Sequence, residues 1–273
     1  MGLIRSGVRG GWAAAAAAGC ALALSAGASG AAASGAATVS AGELRADVRW
    51  AGMRADPRAM VLRVRDGERG VRIGGLQRRG YGVPPAGPFL RLANLDRARG
   101  FEVVLQTTTG GIRCCLRTHI VSTAADGPPR VIARRWGQAG YRLRDLNRDR
   151  VAEFVAGDER VLAGLSVPPP AQVYPIRIWA LRDGTLADVT RSFPRHVLAD
   201  MRSHGRTIGD LERAGATPRA GIASFLATAM LLGREDLALD RLRARFTDPG
   251  TRTDIERIDT RLRALGYDRE ETA

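Results

Sequence analysis

Two stretches of this chain repeat one another. Asn94-Leu95-Asp96-Arg97-Ala98 with Glu102, and Asp145-Leu146-Asn147-Arg148-Asp149 with Glu153, have the same spacing 51 positions apart, with Ala98 in place of the second copy's Asp149. Each stretch sits between strand-like segments. Phe89-Leu90-Arg91-Leu92 precedes the first and Phe101 to Thr107 follows it; Gly140 to Arg144 precedes the second and Glu153-Phe154-Val155 follows it. A strand–loop–strand unit that occurs twice commits the chain to a β-rich module built by repetition.

The surrounding sequence extends that module. Ala59 to Arg65 alternates before an Asp66-Gly67 turn pair, and Gly70 to Leu76 reads as the returning strand. Gly80 to Pro88 is a Pro-rich loop. Arg117–Ser122 and Arg130–Arg135 form a hairpin pattern, and Tyr174 to Leu181 alternates up to Asp183-Gly184. From about Phe193 the period becomes helical. Pro194 to Met201 opens one helix, Gly221 to Leu232 is apolar on most of its circumference, and Arg234 to Phe246 offers Leu237, Leu239, Leu242 and Phe246 to a core. Thr253 to Leu265 carries Ile255, Ile258, Leu262 and Leu265 at helical spacing, with Gly266 as its stop. The expectation is an α+β chain: a leader and small-residue linker over 1–40, an antiparallel β-rich module over 41–192 and a small helical unit over 193–273. Either a sandwich or a partial propeller-like stack satisfies the β pattern.

The second repeat loop has side-chain oxygens at positions 1, 3, 5 and 9: Asp145, Asn147, Asp149 and Glu153. Alternate side chains at 1, 3 and 5 with a carboxylate near 9 can converge on one hard cation, and Ca²⁺ is the cofactor this spacing suggests. Arg144, Arg148 and Arg150 oppose that field, and Arg150 stands where such loops need glycine. The competing reading is a polar turn in which Asp145 and Asn147 accept main-chain amides. The first loop has Ala98 at its fifth position and lacks that ligand.

Residues 1–40 have the layout of a secretory leader. Arg5 and Arg9 precede an Ala-rich apolar run from Trp12 to Leu24, followed by small-residue cleavage candidates at Ala26-Gly27-Ala28. The protein is expected to be secreted or held at the outer face of the cell envelope, with no transmembrane helix in the mature chain. Ala17-Ala18-Gly19-Cys20 gives lipoprotein anchoring through Cys20 as a minor alternative. The net charge is +14, about +12 without Arg5 and Arg9, and every basic residue is arginine. Such a field attracts polyanions without sequence preference, and outside a cell an anionic wall polymer or an envelope protein is the expected partner. The arginines are scattered and aromatics are few, so no dedicated nucleic-acid surface is expected.

Cys114 and Cys115 are the cysteines left after cleavage, in a compartment where free thiols are uncommon. Neighbours on a strand point to opposite faces, so joining them needs a distorted peptide costing about 3 kcal/mol. A vicinal disulfide in a turn and buried reduced thiols both stand as readings. His119, His196 and His204 fall in no metal-ligand pattern, and no nucleophile-elbow, zincin or phosphate-loop motif occurs. Asp183 and Asp188 leave a paired-carboxylate hydrolase open. Trp50, Trp136, Tyr174 and Trp179 serve either as core or as a ligand groove.

Thr109-Gly110-Gly111-Ile112-Arg113-Cys114-Cys115 resembles the TGGAHCC motif of exported bacterial proteins with FG-GAP/VCBS-like DLDGDG repeats. In that pattern the motif lies between two DLDGDG-type loops, and a G-x-x-x-DVTR-x-FP segment follows. Here the order is Asn94 to Val103, Gly110 to Cys115, Asp145 to Phe154, and Gly184 to Pro194 with Asp188-Val189-Thr190-Arg191-Ser192-Phe193-Pro194; Leu265-Gly266-Tyr267 is similar to the family's ending. The chain resembles a degenerate member, with Arg113 for the motif's His and Arg97, Arg148 and Arg150 for loop glycines. The resemblance implies an exported β module with calcium loops like those of integrin-type repeats. The expected function is a non-enzymatic binding or structural module, calcium-stabilised. The alternative is a secreted hydrolase whose carboxylates meet only in the fold. An accessory subunit docking through the Gly221–Leu232 helix is a third reading.

Overall fold

The computed structural model describes residues 34–53, 56–76, 83, 89–98, 100–111, 114–123, 129–167 and 172–269. The expected leader with Cys20 lies outside them, as does Arg113 of the cysteine motif. Among the described residues twelve strands form three four-stranded sheets, each an antiparallel meander, and four helices follow. The first sheet is β1 (Gly35–Ala41), β2 (Leu44–Met53), β3 (Asp56–Asp66) and β4 (Arg69–Ile73). The second is β5 (Leu90–Ala93), β6 (Glu102–Gly111), β7 (Cys114–Ser122) and β8 (Arg130–Gly137). The third is β9 (Tyr141–Arg144), β10 (Glu153–Gly157), β11 (Ile176–Arg182) and β12 (Thr185–Asp188). Strand β1 begins inside the stretch expected to be leader and linker; Val39 is buried and Ala37 packs against the same core, which gives the small-residue segment a reason to pair.

Burial sorts the sheets into layers. In the first sheet Leu44, Ala46, Val48, Met60, Leu62 and Val64 alternate with Arg45, Asp47, Arg49, Arg63 and Arg65, so one face is apolar and the other solvated. The second sheet is apolar on both faces. Val103, Leu105 and Val121 join the core with the first sheet; Val104, Ile120 and Trp136 join Phe154 and Leu181 of the third. That two-sided burial explains the unbroken Val103-Val104-Leu105 run. Ile176 of β11 turns the other way, into the helical core. First sheet, second sheet, third sheet and helices therefore pack as four successive layers, an arrangement distinct from a two-sheet sandwich.

The helices are α1 (Pro194–Arg213), α2 (Arg219–Leu231), α3 (Glu235–Arg245) and α4 (Pro249–Ala264). Every residue of α2 from Ala220 to Leu231 is buried within this chain, which removes the apolar surface the docking-subunit reading required. A Cβ at Gly221 would come 2.9 Å from Ile208 Cγ1, so the glycine lets α1 and α2 approach closely. In α3 the inner stripe is Ala238, Leu239 and Leu242; Leu237 is 58% exposed because at about 100° per residue it lies on the far side of the helix from Leu239. Asp248 caps α4 by accepting the Thr251 amide at 2.7 Å, with Pro249 at the first helical position. Among the described residues no helix is long and apolar enough to cross a membrane.

The Asp188–Pro194 segment fastens the last sheet to the helices. Asp188 accepts from Arg177 at 2.9 Å and from the Thr190 amide at 3.0 Å, while Thr190 Oγ1 accepts the Ile178 amide at 3.0 Å. Arg191 donates to the carbonyls of Leu231 at 2.8 Å and Tyr267 at 2.6 Å, so one guanidinium satisfies the end of α2 and the turn after α4.

Candidate functional site

The repeat seen in the sequence is a repeat in three dimensions. Ala93 pairs with Glu102 and Arg144 with Glu153, the same register 51 positions apart. In both units the glutamate is 4% exposed and folds back on its own loop: Glu102 Oε2 accepts the Leu95 amide at 2.7 Å, and Glu153 Oε2 accepts the Leu146 amide at 3.0 Å. The third-position oxygen also repeats its role, Asp96 accepting from Ala98 at 2.7 Å and Asn147 from Asp149 at 3.1 Å.

The second loop is organised by its own side chains. Asp145 Oδ1 accepts the Asp149 amide at 3.1 Å and its Oδ2 the Arg150 amide at 2.9 Å. Asp149 Oδ1 accepts the Val151 amide at 2.9 Å, and its Oδ2 accepts from Asn147 Nδ2 at 3.0 Å. Arg148 and Arg150 are held at φ 66° and 70°, the left-handed region, where the DLDGDG pattern has glycines. These two left-handed residues turn the loop back so that its own side chains reach its amides.

The two loops clasp each other. Asn94 Nδ2 donates to the Arg150 carbonyl at 2.7 Å, the Ala152 amide donates to the Asn94 carbonyl at 2.8 Å, and Arg97 lies 3.7 Å from Asp149 Oδ2. Beside this clasp opens a cleft of about 820 Å³, whose wall includes Asp96, Arg97, Asn147, Asp149 and Glu153 from the loops and Arg130, Arg182 and Asp183 from the neighbouring strands. Asp183 and Gly184 form the two-residue β11–β12 turn with φ 49° and 75°, and Arg130 donates to the Asp183 carbonyl at 2.9 Å. Asp145 is exposed and shapes the loop through the Asp149 and Arg150 amides that it accepts.

The carboxylates differ electrostatically. Burial raises the Glu102 pKa to about 7, helped by Asp96 and opposed by the Leu95 amide. Burial raises Glu153 too, helped by the charges of Asp149 and Asp145. Asp149 is held below the ordinary range by the Val151 amide, Asn147 and Arg97. Among the described residues no three Asp, Glu, His or Cys side chains converge as a ready metal-ligand group. The donor set still suits a hard cation: Asp145, Asn147 and Asp149 present oxygens, and a carboxylate oxygen that accepts one amide keeps a second lone pair.

The remaining expected sites separate. Cys115 is disulfide-bonded; the Cys114 side chain lies outside the described residues, so the pairing within the TGGAHCC-like motif does too. His204 meets Asp200 at 2.9 Å within α1, and His119 is buried in the second sheet with no partner for its Nε2 among the described residues. Trp136 stacks on Phe154 at 5.1 Å, and Trp50 meets Phe89 edge-on at 5.8 Å, so both fill the core. Arg130 and Arg182 carried no signal in the sequence, because only the stacking of sheets brings them to the loops. Comparison of the chain with protein-family models, with curated proteins and with solved structures finds no match.

Proposed function

We propose that this chain is an exported envelope module that binds or scaffolds and carries out no chemistry at the loop cleft, with Ca²⁺ as a stabilising ligand of the second repeat loop. The observation that carries the reading is the use made of the second loop's carboxylates. Both oxygens of Asp145, both of Asp149 and one of Glu153 accept hydrogen bonds from the loop itself. Groups so engaged shape a loop. Asp145, Asn147, Asp149 and Glu153 would hold the cation, which would offset the repulsion among their carboxylates. The solvated, arginine-rich face of the first sheet supports attachment to an anionic wall polymer.

Calorimetric titration of purified leaderless protein with Ca²⁺ tests the cation, with an Asp145→Ala, Asp149→Ala double variant alongside. Binding at millimolar concentration or tighter that the variant loses supports the reading. No heat and no shift in melting temperature would leave the loop a polar turn. Wall attachment is tested by extraction, since retention unaltered by high salt contradicts an electrostatic tether.

A second reading, a secreted hydrolase, is favoured by one observation. Asp149 and Glu153 line the same cleft with pKa values shifted in opposite directions, as an acid and its partner require. Glycoside or ester turnover abolished by Glu153→Gln would establish it over the binding module.

A further inference from the structure

At the opposite end of the interface between the second and third sheets, where β8 meets the end of β10, lies another cleft of about 400 Å³. Its central side chain is Arg134. The guanidinium carbon is 3.3 Å from the ring centroid of Trp179 and 4.9 Å from that of Trp136. Its Nε is buried and has no hydrogen-bond partner among the described residues. A partly desolvated guanidinium with an unpaired N–H loses solvation, and aromatic faces offset only part of that cost.

The acidic groups nearby are engaged elsewhere. Asp158 binds Arg160 through both oxygens, at 2.8 and 2.6 Å, and accepts from the Tyr267 hydroxyl; Glu159 accepts the Gln138 amide at 2.8 Å. Arg177 bonds Asp188, yet its Nε is buried without a hydrogen bond, 3.6 Å from Asp158. Four guanidinium groups, those of Arg134 and Arg135 on β8, Arg160 in the 3-10 turn Glu159–Leu162 and Arg177 on β11, thus line one cleft, and Arg160 and Arg177 are the two bonded to Asp158 and Asp188. Burial lowers the Arg134 pKa, and the charges of Arg160 and Arg177 add to that against the pull of Asp188 and Asp158.

We propose that this cleft is an oxyanion site that takes a phosphoryl group, with the planar fork of Arg134 as its bidentate anchor and Arg160 and Arg177 at its flanks. A guanidinium fork matches phosphate and carboxylate alike. Guanidinium groups set around one cleft by three elements offer N–H donors from several directions, which suits a tetrahedral anion with several oxygens better than a planar one with two. For an exported protein the phosphoryl group comes either free in solution or in the phosphodiester backbone of a wall polymer. The polymer source rests on the envelope reading above; the site itself does not.

Trp136 and Trp179 flank Arg134, so tryptophan emission reports occupancy directly. Leaderless protein is titrated at constant ionic strength with inorganic phosphate, with acetate, and with a short glycerol-phosphodiester oligomer. Arg134→Gln, Arg134→Lys and a charge-matched control on the exposed face of α1, Arg202→Gln, are treated alike. The expected result is saturable phosphate binding at least tenfold weaker in Arg134→Gln, intermediate in Arg134→Lys, unchanged in Arg202→Gln, and at least tenfold tighter than acetate. No saturable signal, or equal weakening in Arg134→Gln and Arg202→Gln, overturns the site. Should Arg134→Gln fail to fold, the comparison of Arg134→Lys with the parent, read also as a phosphate-induced rise in melting temperature, carries the decision. Phosphate binding without oligomer binding keeps the site and excludes the polymer as its source. Loss of phosphate binding with salt-dependent wall retention intact sinks this proposal and leaves the envelope reading standing.

Discussion

The hydroxyl of Tyr267 donates a 2.9 Å hydrogen bond to Asp158 Oδ2, joining the turn after the last helix to the end of β10 across 109 positions of sequence. Burial alone would raise the Asp158 pKa, but Arg160, Tyr267 and Arg177 together hold it below its usual value. Tyr267 is fully buried, and Arg177 lies over its ring at 4.2 Å.

Removing that hydroxyl in Tyr267→Phe deletes one bond to a charged acceptor, at a cost of about 1.5–3 kcal/mol. Asp158→Asn removes the counter-charge of two arginines and costs more, about 3–5 kcal/mol. Urea unfolding of the two variants should rank them in that order.

His119 is 5% exposed, its Nε2 has no partner among the described residues, and burial lowers its pKa to about 4. The unfolded chain, with a value near 6.5, binds the proton first as pH falls. Stability from the neutral ring is therefore complete above pH 6.5 and declines toward pH 4, by about 3 kcal/mol over that window. His119→Leu removes this contribution, so a series of urea melts should show its stability falling as pH rises through the window, the slope that His119 opposes in the parent.

Glu102 has the opposite sign. Its folded pKa of about 7 lies above the ordinary 4.5, so its contribution is complete below pH 4.5 and is lost as pH rises through 7. Glu102→Gln keeps an oxygen for the Leu95 amide and should be more stable than the parent at pH 8, by up to about 3 kcal/mol. The windows of His119 and Glu102 nearly coincide, so the parent's profile between pH 4.5 and 6.5 should be flat. Each single variant should then expose the slope of the other residue.

Arg148 and Arg150 occupy left-handed conformations that glycine adopts freely. Replacing both with glycine should stabilise the protein by about 1–2 kcal/mol in total, relief of strain exceeding the added freedom of the unfolded chain. The same change removes two positive charges beside Asp145 and Asp149. Ca²⁺ affinity measured by calorimetry should rise accordingly.

Local pattern made much of this fold legible. The β-to-helix switch near Phe193, the turn pairs at Asp66-Gly67 and Asp183-Gly184, and the 51-residue repeat all depend on neighbours in sequence, and each has its counterpart in the structure. Strand β1 was hidden because Gly35–Ala41 is small-residue sequence whose pairing comes entirely from β2. Apolar character alone offers Leu237 to the core, whereas its two-residue offset from Leu239 puts it on the opposite face of α3. The loop ligands were legible as spacing, whereas Asn94 reaching the Arg150 carbonyl was not, since a contact 56 positions distant leaves no periodic trace. The same holds for Arg134: on the page it is one of many arginines, and only the meeting of β8 with β11 sets it against Trp179.

The layered order carries a mechanical consequence. One apolar cluster joins the first sheet to the second, another the second to the third, and a third the third sheet to the helices. Cohesion therefore runs as a chain of nearest-neighbour links, as in repeat proteins. The first sheet, covered on one face only, is the free end of that chain, and the helical bundle with its Tyr267 and Arg191 fastenings is the anchored one. Under pulling force or mild denaturant the molecule should peel from the first sheet inward, leaving the third sheet and helices as the last folded unit.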